Sequence, residues 1–211
     1  MYRNKFLKKR NLELFLERIP EAVEPKLKFE QYTIPSDLAA TILWIIAFGE
    51  KRIEGKKVLD LGCGTGRLGL GAAVLGAQLV VGVDIDYRLV SIAHESAKKL
   101  GLVGSFEAVC ADVSLPPFRC KVDVVIQNPP FGVYHKGYDL KFLKSAFQLS
   151  SIVYSLHKST TVDYIRDVAR KEGWESRILM RDYFRIKQSY WFHRKKSHLV
   201  KVALIAFEKV A

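Results

Sequence analysis

Cysteine is scarce in this chain, and so is every pattern that would give it a structural role. Cys63, Cys110 and Cys120 are an odd set of three with no C-x-x-C spacing. Neither a disulfide framework nor a zinc site is expected, and no metal ligand set is assigned. Long apolar runs are missing too. The longest uncharged stretch, Leu68 to Val83, is too short for a membrane span and is broken by four glycines. Met1-Tyr2-Arg3-Asn4-Lys5 has no apolar segment behind it, so no secretory leader is expected. There is no internal repeat and no low-complexity segment. These absences describe a reduced, cytoplasmic protein that does not enter a membrane.

Acid is scarce at two places in particular. The chain carries 34 Lys and Arg against 22 Asp and Glu, a net charge of +12. Residues 1–10 hold Arg3, Lys5, Lys8, Lys9 and Arg10 with no acid, and residues 181–201 hold seven basic residues against Asp182 alone. The rest is close to neutral. Basic ends on a neutral body suit an enzyme with a polyanionic substrate, although solvated charged termini give the same pattern.

What is present is a core. At 211 residues and 49% hydrophobic content, one globular domain is expected. Leu12, Leu14, Phe15, Leu16 and Ile19 predict an amphipathic helix stopped by Pro20. A second helix begins after Pro35, capped by Ser36 or Asp37, and runs through Trp44 to Gly49. From Lys57 the pattern alternates. Strands are expected at 58–61, 79–83, 106–111, 122–126, 152–156, 178–186 and 200–207. Helices are expected from about Leu68, at Tyr87–Leu100, Leu140–Leu149 and Thr161–Lys171. Alternating units of this kind make an α/β fold: a mostly parallel seven-stranded sheet with helices on both faces. Residues 1–55 form a short helical extension and 56–211 the main domain. Ligands of such sheets lie at the carboxyl ends of the strands.

Two motifs fall at those ends. Asp60-Leu61-Gly62-Cys63-Gly64-Thr65-Gly66 follows a strand and opens a helix, where missing Cβ atoms let a ligand approach the backbone. Its G-x-G-x-G spacing is not the dinucleotide fingerprint. Asp84, at the end of the next strand, can accept two ribose hydroxyls. Cys63 inside the loop has no base beside it in sequence, so a packed small residue is expected rather than a nucleophile. About 60 residues further on comes Asn128-Pro129-Pro130-Phe131. The Asn128 side-chain oxygen and the Pro129 carbonyl can accept the two hydrogens of a planar amine. The prolines stiffen the turn, and Phe131 offers a ring on which an unstacked base can lie. Asn-Pro-Pro is also an ordinary turn.

Together the motifs resemble the class I S-adenosylmethionine-dependent methyltransferases, with their Rossmann-like fold. Further matches narrow the resemblance: Glu30-Gln31-Tyr32, Lys136-Gly137 with Asp139, Phe142-Leu143-Lys144, Val153-Tyr154-Ser155-Leu156-His157-Lys158-Ser159, and Ser189-Tyr190 followed by Phe192-His193 and Lys195-Lys196-Ser197. The chain resembles, over roughly residues 10–210, the small archaeal and eukaryotic rRNA N6-adenine methyltransferases of the methyltransferase-like protein 5 type. The resemblance implies S-adenosylmethionine as cofactor, held by Asp60, Gly62, Gly64, Thr65 and Asp84, with adenine at Asp112 and Val113 and Gln31 closing the pocket. It implies Asn128, Pro129, Pro130 and Phe131 as the catalytic set. It also implies a small zinc-binding activator protein at the third-strand edge.

The substrate implied is the N6 amine of an adenine in RNA, with rRNA favoured. RNA contacts fall to His157, Lys158, Arg194, Lys195 and Lys196, although His157 reads equally as a structural histidine. Two departures are visible. Animal members carry a second cysteine at the Thr65 position, and Val133-Tyr134-His135 differs beside the target-base loop. Two alternatives stay open. Protein glutamine N5-methyltransferases share Asn-Pro-Pro-aromatic but usually have Tyr in the last place and a longer N-terminal domain. A non-catalytic RNA-binding assembly factor could also retain this fold.

Overall fold

The computed structural model describes residues 8–22, 24–115, 118, 120–132, 137–187 and 197–210. Helix α1 (Lys9–Leu16) and helix α2 (Ser36–Trp44) precede strand β1 (Lys57–Leu61). Then come α3 (Arg67–Val74), β2 (Leu79–Asp84), α4 (Tyr87–Leu100), β3 (Phe106–Cys110) and β4 (Val124–Gln127). The chain continues with α5 (Tyr138–Leu149), β5 (Ile152–Lys158), α6 (Val162–Lys171), β6 (Trp174–Lys187) and β7 (Ser197–Lys209). The seven strands lie in the order β3-β2-β1-β4-β5-β7-β6. The first five are parallel, and β7 runs antiparallel to both its neighbours, β5 and β6.

Sheet residues alternate between two cores, which is why the inner strands read as continuous apolar runs. Val58, Val124, Ile126, Tyr154 and Leu204 pack with α1, α2 and α3 on one face. Leu59, Leu61, Val125, Val153 and Ile205 pack with α5 and α6 on the other. The N-terminal helices join the first of these cores. Gly71 of α3 lies against Leu43 of α2 so closely that even a methyl group there would collide.

Several boundaries differ from the expectations. Neither Ser36 nor Asp37 caps α2. Pro35 holds the cap position with no side-chain hydrogen bond, and Asp37 Oδ1 accepts only from the adjacent Leu38 N at 2.8 Å. Pro35 O accepts the first helical bond, from Ala39 N at 2.9 Å, and the Asp37 carboxylate serves one of the free first-turn N–H groups from inside the helix. The last turn of that helix, Ile45–Gly49, is wound as a π-helix. Leu14 is 45% exposed and does not share the buried stripe of Leu12, Phe15 and Leu16. Strand β4 starts two residues later than expected.

The final two strands are much longer than expected. Pairing of β5 with β7 ends at Lys158↔Val202, while β6 and β7 stay paired as far as Lys187↔Ser197. A two-stranded ribbon therefore extends about 17 Å beyond β5, at about 3.4 Å per residue. It projects at the same end of the sheet as the carboxyl ends of the parallel strands. Among the described residues, no helix is long and apolar enough to cross a membrane.

Candidate active site

The carboxyl ends of β1, β2 and β4 open on one cleft of about 1010 Å3 including its open mouth. Asp60, Gly62, Gly64 and Thr65 line it from the first loop, and Asp84 from the end of β2. Asp112 and Val113 line it after β3, and Asn128 and Pro130 after β4. Residues 29–34 close one side, and Tyr138 and Phe142 of α5 the other.

The glycine loop is pinned from below. Gly62 N and Cys63 N both donate to Val83 O, at 2.8 and 2.9 Å. Gly64 N donates to Asp84 Oδ2 at 2.9 Å, and Asp86 N to Asp84 Oδ1 at 2.9 Å. Each Asp84 oxygen thus keeps a lone pair for a ligand. Gly64 has φ +56 and open space where a side chain would stand, so its backbone is bare to the cleft. Thr65 Oγ1 is buried with no partner among the described residues. A hydroxyl left so in a cleft is suited to a polar ligand. Cys63 packs against Gly82, and burial keeps its thiol protonated, so it is no nucleophile.

Asp60 is 1% exposed and accepts from Gly69 N at 2.7 Å, which anchors the first turn of α3. Burial pushes its carboxyl up to about 7, with Asp84's like charge adding and the Gly69 bond opposing. A folded-state value above the ordinary range near 4 means that ionised Asp60 destabilises the fold. That penalty is absent in acid and grows as pH rises towards about 7. Asp60→Asn is accordingly expected to melt progressively higher than the parent as pH is raised from 4 to 8. Paired melting curves check this, and a difference that does not vary with pH would remove the assignment.

Residues 24–35 form a strap along one side of the cleft, tied down at several points. Arg67 is buried in the first turn of α3 and donates to Ile34 O at 2.6 Å and Ile19 O at 2.8 Å. Asp86 receives Gln31 Nε2 at 3.0 Å and pairs with Lys26 and Arg88, each at 3.1 Å. Those partners, Arg88 first, hold its carboxyl well below the usual carboxylate range. Gln31 Oε1 also accepts from Lys26 N at 2.7 Å. Gln31 lines the cleft, but its amide is chiefly occupied in holding the strap.

At the other end of the cleft, Tyr32 donates its hydroxyl to Asn128 Oδ1 at 2.7 Å. The Tyr32 ring leans on Phe131 with centroids 5.4 Å apart and an interplanar angle of 32°. Lys158 Nζ lies 5.5 Å from the centre of the Phe131 ring. Phe131 is therefore not the open stacking surface expected from the sequence. It is 7% exposed and joins the core beneath the strap, because an unsatisfied aromatic face at a core edge is better covered than hydrated.

His157 requires a second correction. It is 1% exposed, its Nε2 lies 2.7 Å from Ser155 Oγ, and Gln127 Nε2 donates to that same oxygen at 2.9 Å. Burial lowers its pKa to about 3, so the ring is neutral and does not reach RNA. Arg194, Lys195 and Lys196 lie outside the described residues, as do Tyr190, Trp191, Phe192 and His193.

Residues 37–149 match the family model of the methyltransferase small domain. The rRNA N(6)-adenosine-methyltransferase METTL5 of Danio rerio is 37% identical over 95% of this chain and 99% of its own length. Its Drosophila melanogaster counterpart is 36% identical over 96% and 97%. The chain belongs to this methyltransferase family. A crystallised candidate RNA methyltransferase from Pyrococcus horikoshii superposes with a TM-score of 0.85 at 35% identity, covering 96% of each chain. The fold is accordingly that of a class I methyltransferase, as the alternating strands and helices imply.

Within this family fold, the sequence reading places Asp60, Gly62, Gly64, Thr65, Asp84, Asp112, Val113, Asn128 and Pro130 around one cleft, where the structure also has them. Asp112 Oδ1 is engaged by Ser114 N and Oγ, at 2.8 and 2.7 Å. Pro129 is buried behind the rim. Sequence reasoning missed Tyr32, Arg67 and Asp86. Only the presence of an arginine inside an otherwise apolar first helical turn hinted at Arg67.

Proposed function

We propose that the protein transfers a methyl group from S-adenosylmethionine to the exocyclic N6 amine of an adenine in rRNA. The observation that carries this reading is the meeting of Asn128 and Pro130 with the glycine loop in one cleft. The names of the METTL5 relatives, aligned over nearly the whole chain, support the substrate class.

The cleft fits the cofactor. Asp84 has acceptor capacity for ribose hydroxyls, Thr65 has an unpartnered hydroxyl, and Gly64 leaves its backbone bare. When bound, the cofactor supplies a methyl on an electrophilic sulfonium, which needs no further activation. The protein's task is then aim. Asn128 Oδ1 and the Pro129 carbonyl accept the two amine hydrogens and favour a more tetrahedral nitrogen with its lone pair exposed. A neutral amide takes no proton, so the product's surplus proton leaves to water.

An adenine in a helix has to be unpaired or extruded first. Lys158 ends β5 with its Nζ 5.5 Å from the centre of the Phe131 ring, next to Asn128-Pro129-Pro130, and in this reading it meets a substrate phosphate. The β6–β7 ribbon extends beyond β5 on the same side as the cleft and adds basic side chains such as Arg181 and Lys201 there, in keeping with the single-strand loops that RNA methylation targets. Strand β3 ends the sheet, and in this reading its free edge takes the small activator protein by strand addition. In this reading the protein works in the cytoplasm, where an rRNA substrate would be met.

The test is transfer of labelled methyl to total RNA from cells that lack this gene, followed by nucleoside analysis. Label in N6-methyladenosine of one rRNA is expected, with or without an added activator. Label in protein glutamine instead would overturn the substrate class.

A further inference from the structure

We infer that Tyr32 is a positioning residue for methyl transfer, setting the Asn128 amide so that its oxygen, not its nitrogen, faces the incoming amine. The inference rests on the reading that Asn128 receives that amine. A carboxamide has two faces of opposite polarity and nearly equal shape. Turned the wrong way, Asn128 would present two N–H donors to an amine that is itself a donor. The proline that follows stiffens the backbone but does nothing to fix the side-chain torsion.

The Tyr32 hydroxyl supplies that control. It donates to Oδ1 at 2.7 Å, and a carboxamide oxygen has a second lone pair to offer the substrate. Its direction is held by the Tyr32 ring leaning on Phe131. The backbone on either side is anchored, through Gln31 to Asp86 and through Ile34 O to Arg67. Burial raises the phenol's pKa far above its usual value, so Tyr32 stays a donor and does not act as the base. The strap is thereby joined to the chemistry: N-terminal residues, remote in sequence, orient the group that aims the substrate.

Tyr32→Phe removes the hydroxyl and keeps the ring. The expected result is a fall in kcat of about tenfold, the scale of one hydrogen bond, with KM for RNA and cofactor affinity essentially unchanged. In an Asn128→Ala background the same change is expected to lower kcat no further, because its route runs through that amide. A merely structural tyrosine would lose activity equally in both backgrounds, and that result would overturn the inference. So would an unchanged or raised kcat, which would make Tyr32 a plug of the base site. Side-chain amide NMR provides a second arm that needs no turnover. The Asn128 resonances, assigned by their loss in Asn128→Ala, should shift or broaden in Tyr32→Phe. If the parent makes no N6-methyladenosine, the substrate reading fails on its own. The NMR arm still decides the role of Tyr32, and unshifted resonances would refute it.

Discussion

Asn128→Ala is expected to lower methyl transfer by about 10²–10³-fold, the scale seen when one preorganised polar group is removed from a reacting centre. Asn128 follows β4 on the cleft, half-buried, with its oxygen held by Tyr32. Alanine leaves the amine with one acceptor in place of two and leaves the Tyr32 hydroxyl without this partner. Cofactor affinity should change little, since the glycine loop and Asp84 are tied to β2 and not to Asn128. Single-turnover transfer, alongside cofactor titration, checks both halves. Activity within tenfold of the parent would remove Asn128 from the catalytic set.

Asp84→Ala is expected to weaken cofactor binding by roughly 30- to 1,000-fold, or about 2–4 kcal/mol, from losing hydrogen bonds to a charged acceptor. Two effects combine in that number. The ribose loses its acceptor, and Gly64 N and Asp86 N lose theirs, so the loop that presents the cofactor also loosens. Asp84→Asn separates them, because its single oxygen can keep one backbone bond while the negative charge is gone. Calorimetric titration with S-adenosylmethionine or its demethylated product gives the affinities. An Asp84→Ala affinity equal to the parent's would refute the ribose role.

The glycine-loop half of the cleft was legible because its signals are local. A strand, a tight glycine turn and a helix start follow one another directly from Lys57 to Arg67, and parallel pairing of Lys57–Leu61 with Leu79–Val83 brings Asp84 alongside. Periodicity likewise located all seven strands, since burial on both faces demands continuous apolar runs. It failed at the ends. The β6–β7 ribbon outruns the sheet, where residues such as Tyr183 and Leu199 stay exposed and no burial pattern marks them as strand. His157 was ambiguous for a related reason. A histidine at a strand's carboxyl end can face ligand or core, and strand alternation with Val153 and Ser155 turned it inwards, beside Phe207.

By itself the sequence determined the class of fold, the glycine loop with its acidic neighbours, and the Asn-Pro-Pro turn. Each depends on residues within one or two adjacent elements, whose geometry follows from local backbone preference and from burial. Only the tertiary structure decided what surrounds those motifs. Tyr32 meets Asn128 across 96 residues of chain, and Arg67 reaches Ile19 across 48. Such contacts depend on how the N-terminal helices settle against α3, where Gly71 admits Leu43, and no periodicity along the chain records that docking. The same docking covers Phe131. A residue that reads as an open platform in the sequence is, in the folded protein, part of the wall that holds the strap in place.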